Sequence, residues 1–132
     1  MFTSKAAFSG MSVDDLAKAK EFYTNTLGLT LKTEDMGLTF TLPGGGELFL
    51  YTKPNHKPAD YTALNFAVDS IDTAVDELTK MGVEFERYDN MPGKQDEKGI
   101  MRGRSANMGP DIAWFKDPAG NVLAVLQGDW SK

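Results

Sequence analysis

Two hydrophobic rhythms run along this chain, one helical and one strand-like, and the pair comes round twice. Leu16, Ala19, Tyr23 and Leu27 recur every three or four residues, the spacing that gathers side chains on one face of a helix. Ser12 to Asp15 precede them as a capping-box-like start, with a hydroxyl for the free amides and an acid three residues on. Gly28 follows as a left-handed C-cap, so the pattern predicts an amphipathic helix over 13–28. The runs LTLKTE, LTFTL and ELFLYT then switch to strand alternation, separated by Gly37 and by Gly44 to Gly46. KAAFSGMS, ahead of the helix, predicts a first strand, and the first half reads βαβββ.

The second half repeats this plan. YTALNFAV predicts a strand, and Ser70 opens a helix whose buried stripe is Ile71, Ala74, Val75, Leu78 and Met81, ended by Gly82. VEFERY, DIAWFK and NVLAVLQ predict the strands that follow. LGL at 27–29 matches MGV at 81–83 with an offset of 54, whereas LPGGGELFL matches DPAGNVLAV with an offset of 75. The difference is a longer loop, DNMPGKQDEKGIMRGRSANMGP, and the economical explanation is a duplicated module. A loop of that length serves either as a lid over a cavity or as a solvated segment, and the sequence leaves both open.

Composition narrows the classes. The 132 residues are 41% apolar and 25% charged, ordinary values for one folded domain. The absence of cysteine removes disulfides, thiolate metal sites and cysteine nucleophiles, and fits a reducing cytoplasm. No signal-like apolar run opens the chain and no segment approaches the roughly 20 apolar residues of a membrane span. A net charge of -5 repels phosphate backbones. The expectation is a cytoplasmic, soluble protein that engages neither nucleic acid nor membrane.

Two phrases carry more. EFYTNTLGL in the first helix and FKDPAGNVL near the end, taken as a pair, resemble the vicinal oxygen chelate superfamily, the group of glyoxalases, bleomycin-resistance proteins and extradiol dioxygenases. The resemblance covers essentially the whole chain. It implies an α+β fold in a single domain over 1–132, with module one at about 4–54 and module two at about 60–128. The two tandem βαβββ modules are expected to form a curved mixed sheet around a cavity, helices outside, in a homodimer. Asp117, Pro118 and Gly120 read as a structural turn before the last strand, with Asp117 as a fold marker and not a catalytic acid.

The resemblance also implies where a metal would sit. Metal-dependent members use four ligands, usually His, Gln or Glu, from the first and last strands of both modules. Counting from the shared phrases puts those positions at Phe8, Ala63, Phe49 and Ala124, two phenyl rings and two methyl groups. A slip of one residue reaches Thr62, Leu64, Leu48 or Leu123 and restores no ligand set. No metal and no other cofactor is therefore expected.

Strand parity says what replaces it. In TALNFAV, Leu64, Phe66 and Val68 form the helix-facing side, leaving Ala63, Asn65 and Ala67 toward the cavity; in NVLAVLQ, Ala124 lies between helix-facing Leu123 and Val125. With Phe8, Phe49 and Tyr51 the expected pocket is apolar and aromatic. Trp114 is expected to face it while Phe115 joins the core, Asn65 to orient a ligand or find a neighbouring partner, and Arg102 to reach in from the loop.

The expected function is metal-free binding of a hydrophobic or aromatic small molecule, of a sequestration or resistance type. The alternative is a glyoxalase-like lyase, isomerase or dioxygenase with displaced ligands such as His56 and Glu47, or with Asp96, Glu97 or Arg102 as loop acid and base. A third reading is a dimerising module with no small ligand. No catalytic residue can be assigned: the single histidine, His56, sits in a linker, no G-x-S-x-G elbow occurs, and GGGE lacks the ending of a phosphate loop. Carbon at all four ligand positions predicts that protein purified without chelator or affinity tag carries no stoichiometric transition metal. Elemental analysis giving about one metal per chain would contradict it.

Overall fold

The computed structural model describes residues 1–89 and 94–128; residues 90–93 of the long loop and 129–132, including Trp130, lie outside the described residues. The chain divides into two units, Met1–Pro58 and Ala59–Lys132. In the first, β1 (Ser9–Val13) leads to α1 (Leu16–Glu21), which passes into a π-helical turn at Phe22–Thr26, followed by β2 (Thr30–Thr33), β3 (Leu38–Thr41) and β4 (Glu47–Thr52). The sheet runs β1-β4-β3-β2, with β1 parallel to β4 and the other pairs antiparallel.

Alternation decides what this sheet buries. Met11, Val13, Leu38, Phe40, Leu48 and Leu50 are buried, and the Tyr23 ring from the helical segment lies 5.7 Å from that of Phe40. The helix begins later than the pattern predicts. Asp15, not Ser12, caps it by accepting a hydrogen bond from the Lys18 amide at 3.1 Å. Ser12 and Val13 are held in β1 by pairing with Tyr51 and Thr52, so their backbone is committed to the sheet.

The second unit contains β5 (Thr62–Ala67), α2 (Ile71–Lys80), β6 (Met101–Arg102), β7 (Asp111–Lys116) and β8 (Val122–Gln127), in the order β5-β8-β7-β6. The duplication holds to the register. Phe40 pairs with Leu48 in the first sheet and Phe115 with Leu123 in the second, at the same offset of 75. The architecture is thus α+β, two tandem modules each on a four-stranded mixed sheet. Ser70 caps α2 through the Thr73 amide at 3.3 Å, and the Gln127 side chain accepts from the Ile71 amide at 2.9 Å, tying the helix start to the last strand. Ile71 and Val75 are buried as predicted, but Met81 lies past the last helical residue and is exposed.

One predicted strand is absent. VEFERY contributes only an isolated bridge, Phe85 to Phe115, although the Glu86 amide does donate to the Trp114 carbonyl at 2.8 Å. The reason is Gln95. Its side chain accepts from the Tyr88 amide at 2.7 Å and donates to the carbonyls of Glu86 and Gly99 at 2.8 and 2.9 Å, occupying groups a ladder would need. The edge position passes instead to β6, inside what the sequence presents as loop.

The turn before β8 is a network. Asp117 Oδ1 accepts from the amides of Ala119 and Asn121, both at 2.9 Å, and Oδ2 from the Asn121 side chain at 3.1 Å. Asn121 in turn accepts from the Ala59 amide at 3.0 Å, and both side chains are buried. Asp117→Ala is expected to strand buried donors and cost on the order of 2–4 kcal/mol, lowering Tm by roughly 10 °C. A thermal melt checks this; an unchanged Tm would remove the turn's structural role.

Candidate functional site

The ladders of the second unit sort its side chains by face. Asp111, Ala113 and Phe115 stand opposite Gln127, Val125 and Leu123, and Gln127 holds α2, so this face packs the helix. Ile112 and Trp114, opposite Leu126 and Ala124, project the other way. There Trp114, Val122 and Ala124 form a buried cluster against which Tyr88, Met101 and Ile112 pack. The Tyr88 ring meets the indole edge-on at 5.6 Å and 74°. Burial, with the Glu86 charge second, pushes the Tyr88 phenol above its ordinary pKa, so Tyr88 is a neutral aromatic surface at physiological pH.

Thr62 completes this face. Its hydroxyl accepts from the Trp114 indole Nε1–H at 3.0 Å. Strict alternation from Leu64 would turn Thr62 toward α2, but the β5–β8 register shifts between Thr62 and Leu64 and sets Thr62 opposite Val122. The signal available in the sequence was the need of a buried indole for an acceptor. Ala63 sits at that irregularity and is half-buried, outside the simple parity assigned to it. Asn65 pairs with Ala124 in register, yet β5 is the terminal strand of its sheet and Asn65 is exposed. Its amide is open to water and needs no buried partner. Ala124 is fully buried.

Arg102 is elsewhere. It pairs with Asp111 in the ladder and so shares the α2 face. Its guanidinium grips Asp72 of α2 with two bonds of 2.8 and 3.1 Å, bonds Asp96 at 3.0 Å, and lies 3.8 Å from Asp111. Lys98 adds contacts to Asp72 at 3.4 Å and Asp76 at 3.1 Å. The hydrogen bond from Arg102 is the main cause that lowers the Asp72 pKa from 3.8 to about 2, against the opposing effect of desolvation and with help from the Arg102 and Lys98 charges. Asp96 also accepts from the amides of Lys98 and Ile100 at 2.9 and 3.0 Å. Arg102 is therefore a latch on the helix side and is separated by the sheet from Trp114 and Ala124.

The first unit carries a separate aromatic surface. Phe49 and Tyr51 stack at 5.9 Å and 19°, opposite Gly10 and Ser12 of β1. Gly37 makes room for the Phe49 ring: at its φ of 149° a Cβ would lie 2.8 Å from that ring and 2.5 Å from the Leu50 carbonyl. Tyr51 is partly exposed, and Phe8, which precedes β1, is 67% exposed. His56 Nδ1 lies 2.7 Å from Ser12 Oγ, and Glu47 pairs with Lys32. Among the described residues no three His, Asp or Glu converge as a metal-holding group. Phe8, Phe49, Ala63 and Ala124 offer only carbon, so these positions do not fit the metal of metal-dependent vicinal oxygen chelate proteins. Also among the described residues, no helix is long and apolar enough to cross a membrane.

Comparison with known proteins gives the same architecture. A model of the Glyoxalase/Bleomycin resistance protein/Dioxygenase superfamily matches residues 6–125. No curated protein matches. TnmS3, an antibiotic binding protein from Streptomyces sp. CB03234, is 26% identical with a TM-score of 0.69, covering 98% of this chain and 99% of that one. A member of the same superfamily from Sphaerobacter thermophilus DSM 20745 is 25% identical with a TM-score of 0.69, over 96% and 98% of the two chains. The fosfomycin resistance protein FosX from Listeria monocytogenes, 16% identical with a TM-score of 0.68 over 98% and 97%, shares the fold.

The lowered Asp72 pKa carries a pH signature. A carboxyl more acidic in the folded chain stabilises it fully above its ordinary 3.8 and loses that contribution as pH falls toward about 2. The stability advantage of wild type over Asp72→Asn is therefore expected to be constant from pH 7 to about 5 and to shrink between about 4 and 2. Urea midpoints across that range check it; a constant difference down to pH 2 would contradict the pairing.

Proposed function

Because the chain belongs to the glyoxalase/bleomycin resistance protein/dioxygenase superfamily, we propose that it binds a hydrophobic or aromatic small molecule without a metal ion, on the Trp114 face of its second unit. The observation that carries this reading is the pairing of Trp114 with Ala124: a methyl group, at a position the resemblance assigns to a metal ligand, stands directly beside a large aromatic surface. Val122 and Ala124 supply a carbon floor and Trp114 a ring to stack on, reached by displacing the Tyr88 and Met101 side chains packed over them, with exposed Asn65 as the polar edge that orients a ligand. Each aromatic contact is worth about 0.5–1.5 kcal/mol beyond area burial. The same ligand class is proposed for the Phe8, Phe49 and Tyr51 surface of the first unit.

The likeness to an antibiotic binding protein at 26% identity favours sequestration over turnover; a cytoplasmic homodimer is the setting proposed for it. Of the rival acids and bases, Asp96 and Arg102 are spent on the α2 latch, and no observation favours a displaced metal set. A library of planar aromatic and apolar compounds titrated against a Trp130→Phe variant, whose only tryptophan is Trp114, tests the reading. A saturable emission change is expected, with affinity falling about tenfold or more in Trp114→Ala followed calorimetrically. If no compound shifts either the emission or the melting temperature, the binding reading is lost.

A further inference from the structure

Strand β6 has two residues, and they look in opposite directions. Met101 pairs with Ile112 and packs on the Trp114 cluster. Arg102, the next residue, pairs with Asp111 and grips Asp72 of α2 from the other side of the sheet. A two-residue ladder holds a strand weakly, so the segment around β6 relies on side chains. Gln95 bridges to Met101 and binds the backbone of Tyr88, Glu86 and Gly99. Asp96 caps the turn through Lys98 and Ile100 while accepting from Arg102 Nε, and Ile100 is fully buried.

From this geometry we infer that Arg102 is a positioning residue for the Trp114 face: its grip on Asp72 and Asp96 fixes β6 so that Met101 and Tyr88 cover the indole and set the access of small apolar molecules to it. Trp114 is 9% exposed although it projects away from α2, and Met101 and Tyr88 are both among the side chains packed over it. The grip is bidentate, the geometry in which a half-exposed ion pair holds direction as well as charge. The ligand class rests on the function proposed above, but the cover over Trp114 is measurable in the protein alone.

The test uses the full chain with Trp130→Phe, so that acrylamide quenching reports Trp114 only. Arg102→Met and Asp72→Asn are expected to raise the quenching constant by about twofold or more at temperatures well below the melting transition, through local opening of the strap. Arg102→Lys, which keeps charge but loses the fork, is expected to fall between them and wild type. Asp76→Asn removes a carboxylate that meets Lys98 but not Arg102 and should leave quenching unchanged. A purely stabilising role would lower Tm without moving quenching in the folded range, so unchanged quenching in both Arg102→Met and Asp72→Asn overturns the inference. If Arg102→Met does not fold, Asp72→Asn and the rise of wild-type quenching in about 1 M salt decide the question. Raised quenching with no ligand found supports the positioning role while sinking the binding reading; bound ligand with unchanged quenching does the reverse.

Discussion

In each unit the last strand lies between the first and the third, parallel to one and antiparallel to the other, and this placement fixes the face of every side chain around it. Leu48 and Leu50, or Leu123 and Val125, go into the core, and the residues between them are forced to the opposite face. Phe49 and Ala124 occupy that opposite face at the same register in the two units. The recognition proposed above starts from their being carbon at positions that the resemblance to metal-dependent proteins assigns to ligand atoms.

Carbon at those positions changes the kind of selectivity available. A metal would orient a substrate through two or more directed bonds, whereas an aromatic wall orients a flat molecule through area and ring geometry. The polar atoms at the Trp114 face are few. The Thr62 hydroxyl is already committed to the indole at 3.0 Å, and Asn65 is open to solvent. If the proposed binding holds, such a surface discriminates by shape and apolar area more than by hydrogen bonding.

The strap from Gln95 to Arg102 shows how a long insertion becomes ordered without regular ladders. Gln95 and Arg87 satisfy backbone carbonyls, Asp96 satisfies backbone amides, and Arg102 ties the strap to α2. Individually these half-exposed contacts are weak, but they converge on one short segment and surround the buried Ile100. The cost is that one face of β6 must serve the helix while the other serves the Trp114 cluster.

The sequence by itself determined what is local or periodic. The tandem βαβββ plan, the Ser70 cap, the Asp117 turn and the carbon character of Phe8, Phe49, Ala63 and Ala124 can all be read from spacing and residue type, because alternation and turn chemistry act over a few residues. Tertiary structure decided the rest. Ser12 was drawn into β1 and the cap passed to Asp15, VEFERY gave up its ladder to the Gln95 side chain, a register shift turned Thr62 onto Trp114, and Arg102 went to the helix side. In each case a partner many residues away satisfied a backbone group, an indole or a charge better than the local pattern could, and no short-range spacing records where that partner will be.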